Sequence, residues 1–180
     1  NNRINLAIAA WEWPSYFAPE ERLKGIRLDM AEYRRPSPQT APCHAKAAGL
    51  YMICTLSKHA AESKGYADAL MLDWRGRVAE ATGANVFFVN NNVLHTPEPD
   101  CFLDGITRRT VIELARARGL EIIERAIMPD EMENFSECFI TGTAAEVTPV
   151  SEIGPYKFTP GDISINLLND YLALVGRQSA

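Results

Sequence analysis

The sequence predicts an α/β fold in which a mixed, barrel-like sheet is flanked by helices. Short segments with the alternation typical of strands occur along the whole chain, and three longer segments have apolar residues at helical spacing. The two kinds of segment do not alternate strictly, which favours a mixed sheet over a purely parallel one. The length of 180 residues permits one sizeable core or two small domains.

In the first third of the chain, two predicted strands precede a long predicted helix. Residues 4–11 are an apolar, strand-like run, and residues 25–33 alternate like a half-buried strand. Three prolines make residues 34–42 an irregular connector. Helical spacing of alanine, methionine and leucine predicts a helix over residues 44–64, with Gly65 as its stop.

The remaining two thirds of the chain contain most of the predicted strands. Asp104 is a candidate cap for a helix that runs to Arg118, and Gly119 suits the end of that helix. A last helix is predicted over residues 161–175. A tight turn is predicted at 75–77 and a hairpin around three consecutive asparagines. The predicted strands in this part of the chain are 67–74, 85–89, 93–96, 120–125, 137–141 and 146–150.

Composition excludes several classes of protein. A net charge of −5 and a pI of about 5.3 argue against a nucleic-acid partner. The apolar runs are far too short to cross a bilayer, so no membrane association is expected. Four dispersed cysteines and three distant histidines suggest neither a disulfide framework nor a metal site, and reduced thiols in the cytoplasm are expected.

Lys46 has an unusual setting, because its neighbours over residues 41–51 are almost all small or apolar. Burial among them would penalise the ammonium form and favour the free amine, which attacks an aldehyde to form a Schiff base. Lys46 is therefore a candidate for a covalent cofactor lysine. The alternative is that its side chain extends along the surface and keeps its charge in water.

Three further segments suit a pyridoxal phosphate site, which needs an acid for the pyridine nitrogen and an anion site for the phosphate. Glu80 lies among small residues, where a planar ring could approach, although a turn or cap glutamate is an equally simple interpretation. Residues 105–107 should begin a helix, whose free N–H groups attract phosphate. Residues 141–146 form a second turn rich in hydroxyl groups. Each of these segments also has an ordinary structural explanation.

The order of these segments resembles the class IV, fold-type IV aminotransferases, and the branched-chain amino-acid aminotransferases in particular. The matching segments are 45–51 (AKAAGLY), 79–87 (AEATGANVF), 105–108 (GITR) and 142–150 (GTAAEVTPV). The resemblance covers nearly the whole chain. It implies the large C-terminal domain of the D-amino-acid-aminotransferase-like fold, with pyridoxal 5′-phosphate as cofactor.

The resemblance also implies roles for individual residues. Lys46 would form the Schiff base with the cofactor, and Tyr51 would form a hydrogen bond with its phenolic oxygen. Glu80 would pair with the pyridine nitrogen. The residues that would contact the phosphate are Ile106, Thr107 and Thr143. For the substrate, it assigns the carboxylate to the backbone around Ala144 and the pocket walls to Trp13 and Tyr16.

The implied reaction is transamination between an amino acid, of branched-chain type, and 2-oxoglutarate in a homodimer or higher homo-oligomer. A D-amino-acid transaminase and aminodeoxychorismate lyase are alternatives within the superfamily. A non-catalytic domain that binds an anionic ligand is an alternative of another class.

Two features depart from the family pattern. Residues 1–180 are expected to form the cofactor-binding C-terminal domain, with residues 1–40 including the end of, or linker from, an absent N-terminal domain. Alanine rather than glycine follows Glu80.

Overall fold

The computed structural model describes residues 3–11 and 23–176. In this part of the chain, one nine-stranded sheet is accompanied by three α-helices and two short 3₁₀ helices. The strands are β1 Ile26–Met30, β2 Asp68–Leu72, β3 Val78–Ala81, β4 Asn85–Asn90, β5 Val93–Thr96, β6 Glu121–Glu124, β7 Glu137–Gly142, β8 Glu146–Ile153 and β9 Tyr156–Lys157. The α-helices are α1 Tyr51–Ser63, α2 Ile106–Ala117 and α3 Asp162–Leu174, and the 3₁₀ helices are Ala48–Leu50 and Pro129–Asn134.

The sheet is mixed and curls back on itself, as the sequence predicts. Its strand order is β3-β2-β1-β8-β7-β4-β5-β6, with β9 paired to β8. Strand β1 runs parallel to both β2 and β8, and β5 runs parallel to β6, whereas the other pairs are antiparallel. The backbone N–H of Val78, on edge strand β3, donates to the carbonyl oxygen of Ile127, just beyond edge strand β6, at 2.8 Å. This hydrogen bond joins the two edges of the curled sheet.

Two hydrophobic cores lie on opposite faces of the sheet. Along β4, Val86 and Phe88 belong to the inner core, whereas Phe87 and Val89 belong to the core under α2 and α3. Successive side chains of a strand point to opposite faces, so a strand covered on both faces is apolar throughout. The stacked rings of Phe87 and Phe139, with centroids 5.0 Å apart, join β4 to β7 in the helix-covered core.

Most of the predicted elements agree with the structure to within a few residues. The glycines predicted to end two helices, Gly65 and Gly119, have φ values of +81° and +75°. A side chain is strained in this left-handed region, which is why glycine is common where a helix ends. All four cysteines are free thiols. No helix among residues 3–11 and 23–176 is both long and apolar enough to span a membrane.

Three local predictions are wrong. Residues 3–11 form no strand, and Ile4 is 96% exposed, because no described strand pairs with this segment to satisfy its backbone groups. The long helix starts at Tyr51 rather than at residue 44, after tight turns and the 3₁₀ helix that contains Gly49. Glycine is a poor helix former, so the apolar spacing upstream of it does not extend the helix. Asp104 does not cap α2, since its carboxylate binds the side chain of Arg108 and Gly105 is the cap residue.

Candidate active site

Six residues predicted to contact a cofactor line one cavity of about 270 Å³. They come from four separate parts of the sequence and are Lys46, Tyr51, Glu80, Ile106, Thr107 and Thr143. Ala144, predicted to hold a substrate carboxylate, follows Thr143 in the β7–β8 turn and is half-buried. Trp13 and Tyr16 lie outside the described residues. The fold therefore gathers the four sequence segments around one cavity.

Lys46 and Tyr51 reach the cavity from the start of α1. Lys46 lies in the irregular segment before the 3₁₀ helix and is exposed, so the prediction that alanines bury it in the first turn of a helix is wrong. The short alanine side chains cannot cover it, because the turns of residues 43–47 leave them at the surface. Tyr51 begins α1 and is half-buried. An exposed lysine at a cavity is open to an incoming aldehyde.

Glu80 lies on β3 and is only 8% exposed. One carboxylate oxygen is 3.3 Å from Nε of Arg35, and the other accepts a hydrogen bond from Nδ2 of Asn85 at 3.3 Å. The pKa of the Glu80 carboxyl is raised from 4.5 to about 8: burial is the largest cause, the Arg35 guanidinium opposes it, and the charge of Asp68 adds to it. The carboxyl therefore keeps its proton to a higher pH than a solvent-exposed glutamate does, and a cationic partner in the cavity would favour its charged form.

The N-terminus of α2 forms a second part of the cavity wall. Its cap residue, Gly105, provides no side-chain hydrogen bond to the first backbone N–H groups of the helix. Thr107 is buried and Ile106 is 75% exposed. Free N–H groups and the positive end of the helix dipole favour an anion here.

The turn between β7 and β8 forms the third part of the wall. Thr143 is exposed in this turn, and Gly142 lies so close to the loop after β3 that an added Cβ would be 3.4 Å from the carbonyl oxygen of Gly83. The hydroxyl of Thr141 is buried without a hydrogen-bond partner among the described residues. A polar group in that state is costly unless a ligand or water bonds to it.

Gly105 couples the anion site to the carboxylate site. A Cβ at this position would lie 2.5 Å from Oδ1 of Asn85, whose side chain also donates to the carbonyl oxygen of Leu103 at 2.9 Å. We expect Gly105→Ala to lower the free energy of unfolding by about 1 to 3 kcal/mol, because Asn85 must move out of a packed position. Denaturant titration measures the change. Gly49→Ala is the control, since nothing lies within 4 Å of a Cβ there, and an equal loss in both variants would contradict the steric explanation.

A sequence model of the amino-transferase class IV family matches residues 1–153. The chain belongs to this family. It is 43% identical to a probable branched-chain-amino-acid aminotransferase of Rickettsia felis over 149 residues, which make up 82% of this chain and 51% of that relative. The chain therefore spans about half the length of the curated relatives it matches.

Solved structures of aminotransferases have the same fold as this class IV chain. The branched-chain aminotransferase of Thermoproteus uzoniensis, crystallised with norvaline, aligns with a TM-score of 0.87 at 35% identity, over 93% of this chain and 55% of its own. An aminotransferase of Brucella abortus, bound to the cofactor pyridoxal phosphate, aligns with a TM-score of 0.80 at 32% identity, over 88% of this chain and 57% of its own. The likeness extends over nearly all of this class IV chain.

Three residues of the cavity wall were given no individual role by sequence reasoning, although Asn85 and Thr141 lie within segments that it singled out. Arg35 and Asn85 both lie against Glu80, and Thr141 contributes the unpartnered hydroxyl. Asn85 and Thr141 are paired across β4 and β7, so the sheet register brings them together. No sequence signal separates buried Arg35 from its exposed neighbour Arg34.

Proposed function

We propose that this chain is the pyridoxal-phosphate-binding domain of a branched-chain amino-acid aminotransferase. The observation that carries the proposal is the single cavity that combines an exposed lysine, a buried carboxyl and an uncapped helix N-terminus. An amine, a proton-holding acid and an anion site are the three requirements of pyridoxal phosphate. The printed names of the relatives support the choice of reaction and substrate class.

The residues of the cavity fit this cofactor. Lys46 would supply the amine, Tyr51 the bond to the phenolic oxygen, and Glu80 the partner of the pyridine nitrogen. The N–H groups of Ile106 and Thr107, together with the hydroxyls of Thr107 and Thr143, would bind the phosphate. The buried, unpartnered hydroxyl of Thr141 favours a polar ligand in this space.

The chain's own groups would perform binding and proton transfer. When bound, pyridoxal phosphate supplies an electron-accepting ring that stabilises negative charge at the substrate α-carbon. With a substrate bound, the Lys46 amine would accept the proton from the substrate α-carbon and later give a proton back. Glu80 would hold the proton at the pyridine nitrogen. The start of α2 would hold the phosphate and so keep the reacting groups in reach of each other.

The substrates in this proposal are a branched-chain amino acid and 2-oxoglutarate. A complex with norvaline in the Thermoproteus uzoniensis relative supports an aliphatic amino acid as donor. The backbone around Ala144 would bind the substrate carboxylate, and Trp13 and Tyr16 would wall the pocket. D-amino acids or aminodeoxychorismate would be the substrates if the chain belonged to one of the other subfamilies.

The proposal is tested by adding pyridoxal phosphate to the purified protein, recording the visible spectrum and treating the sample with borohydride. We expect cofactor that becomes permanently attached, and fastest amino transfer to 2-oxoglutarate from the L-branched-chain donors. Preference for D-amino acids would favour the D-amino-acid transaminase. Pyruvate formed from aminodeoxychorismate would favour the lyase. Binding of inorganic phosphate without any attached cofactor would favour a non-catalytic anion-binding domain.

We propose further that residues 1–180 are the cofactor-binding domain and that residues 1–40 include the link to an N-terminal domain. The share of each relative that the chain spans supports this division. Adding an N-terminal extension should raise the affinity for pyridoxal phosphate and the transamination rate, and equal values in both versions would contradict the division.

A homodimer in the cytoplasm completes the proposal, and the free thiols suit a reducing compartment.

A further inference from the structure

Arg35 is a buried arginine at the junction of three elements around the cavity. Its side chain lines the cavity and the residue is 4% exposed. Its backbone N–H donates to the carbonyl oxygen of Leu72 at the end of β2, at 2.7 Å. Its Nη1 donates to Sγ of Cys54 on α1, at 3.2 Å. Arg35 is thus fixed at both its backbone and its side chain.

The guanidinium of Arg35 faces Glu80 without completing a hydrogen bond to it. Nε lies 3.3 Å from Oε1, within ion-pair distance, yet the N–H has no hydrogen-bond partner among the described residues. An arginine cannot lose its proton in a protein, so its charge persists in this buried place. A carboxylate is the group that best compensates such a charge.

We propose that Arg35 is a positioning residue that directs the Glu80 carboxyl into the cavity and favours its charged form, so that it can pair with a cationic ring nitrogen there. The pairing of Glu80 with a ring nitrogen rests on the proposed function, whereas the effect of Arg35 on the Glu80 carboxyl does not. Through Cys54, the same guanidinium also contacts α1, the helix that begins with Tyr51. One arginine would therefore set the positions of both the acid and the tyrosine.

Other groups near Glu80 cannot substitute for Arg35. The Asp68 carboxylate raises the pKa of Glu80, and Asn85 is neutral. The positive charge of Lys58 acts on Asp68 rather than on Glu80. Burial raises the pKa of Asp68, and hydrogen bonds from Thr82 and the backbone, together with the Lys58 charge, offset part of that rise. The thiols of Cys43 and Cys54 have pKa values raised by burial, so both are neutral at pH 7. Among the described residues, Arg35 is the one cation that lowers the pKa of the Glu80 carboxyl.

The first test is a titration of Glu80 in the ligand-free protein, followed by the ¹³C resonance of its carboxyl and assigned by the loss of that signal in Glu80→Gln. We expect Arg35→Met to raise the pKa of Glu80 by about one unit or more, because an opposite charge at this distance has that effect. Arg35→Lys, which keeps the charge, should remain closer to the wild type. Arg34→Met is the matched control, because Arg34 is exposed, and should leave the titration unchanged. An unchanged pKa of Glu80 in Arg35→Met would overturn the proposal. If Arg35→Met fails to fold, Arg35→Gln, which also removes the charge, is judged by the same criterion.

The second test is a double-mutant cycle on the affinity for pyridoxal phosphate. Arg35→Met should weaken binding about tenfold when Glu80 is present and less than about twofold in the Glu80→Gln background, since the two residues act as one unit. The loss should also disappear for the 1-deaza analogue, in which carbon replaces the ring nitrogen. Equal losses in both backgrounds would mean that Arg35 only supports the fold. If no cofactor binds to any variant, the proposed function fails, and the titration alone decides the link between Arg35 and Glu80.

Discussion

Replacing Lys46 with alanine is expected to reduce transamination by at least about 10²- to 10⁴-fold, the contribution typical of a positioned proton-transfer group. Lys46 would form the covalent attachment and carry the α-proton, and no other lysine in the described part of the chain lines the same cavity. Glu80 and the start of α2 do not depend on Lys46, so the variant should still bind pyridoxal phosphate without covalent attachment. The loss should therefore fall on the catalytic rate more than on cofactor affinity.

The measurement combines steady-state rates with borohydride reduction and peptide mapping. In the unaltered protein, the pyridoxyl group should map to Lys46. Lys64→Ala is the matched control, because Lys64 lies at the end of α1, away from the cavity, in an exposed ion pair of 2.6 Å with Asp29. That variant should keep normal rates. A pyridoxyl group on Lys58 or Lys64 would show that Lys46 is not the attachment site.

The sequence predicted most strands of the sheet because strand signals are local, but it missed β3 and β9, which are only four and two residues long. β4 and β5 are separated by a run of asparagines in the sequence, and Asn91 and Asn92 adopt φ values of 50° and 64°. Asparagine tolerates such values better than other residues with a side chain, so the hairpin follows from the sequence. The approach of the two sheet edges involves a contact between Val78 and Ile127, which lie far apart in the sequence. Local patterns do not reveal a contact of that kind.

The candidate site was predicted residue by residue through family motifs, whereas its electrostatics were not. Small neighbours suggested a buried Lys46, yet small side chains also fail to cover a lysine, and Lys46 is exposed. The buried group is instead Glu80, whose desolvation comes from the packing of β3 in the sheet. Arg35 lies far before Glu80 in the sequence, in a proline-rich connector, so only the folded chain brings the two charges together.

Glu80→Gln is expected to slow abstraction of the substrate α-proton by about 10- to 100-fold while cofactor attachment at Lys46 persists. A hydrogen bond to a charged group contributes about 1.5 to 3 kcal/mol, and a neutral amide cannot hold the proton of the pyridine nitrogen. Single-turnover rates with an amino-acid donor measure this step separately from product release. A half-reaction rate close to that of the unaltered protein would remove Glu80 from the mechanism.

The same substitution should change how the ligand-free protein's stability depends on pH. Since the Glu80 pKa is raised from 4.5 in the unfolded chain to about 8, its stabilising contribution is complete below pH 4.5 and is lost as the pH rises through 8. This loss is on the order of 5 kcal/mol, because one pKa unit corresponds to about 1.4 kcal/mol. Glutamine cannot ionise, so the free energy of unfolding of Glu80→Gln, measured relative to the wild type, should rise between about pH 4.5 and pH 8. His95 also titrates in both proteins, and its contribution cancels from the difference because Glu80 does not act on it. If the free energies of unfolding of the two proteins change in parallel with pH, Glu80 is charged in the folded, ligand-free protein. Its carboxyl would then carry no proton to share with the ring nitrogen of an incoming cofactor.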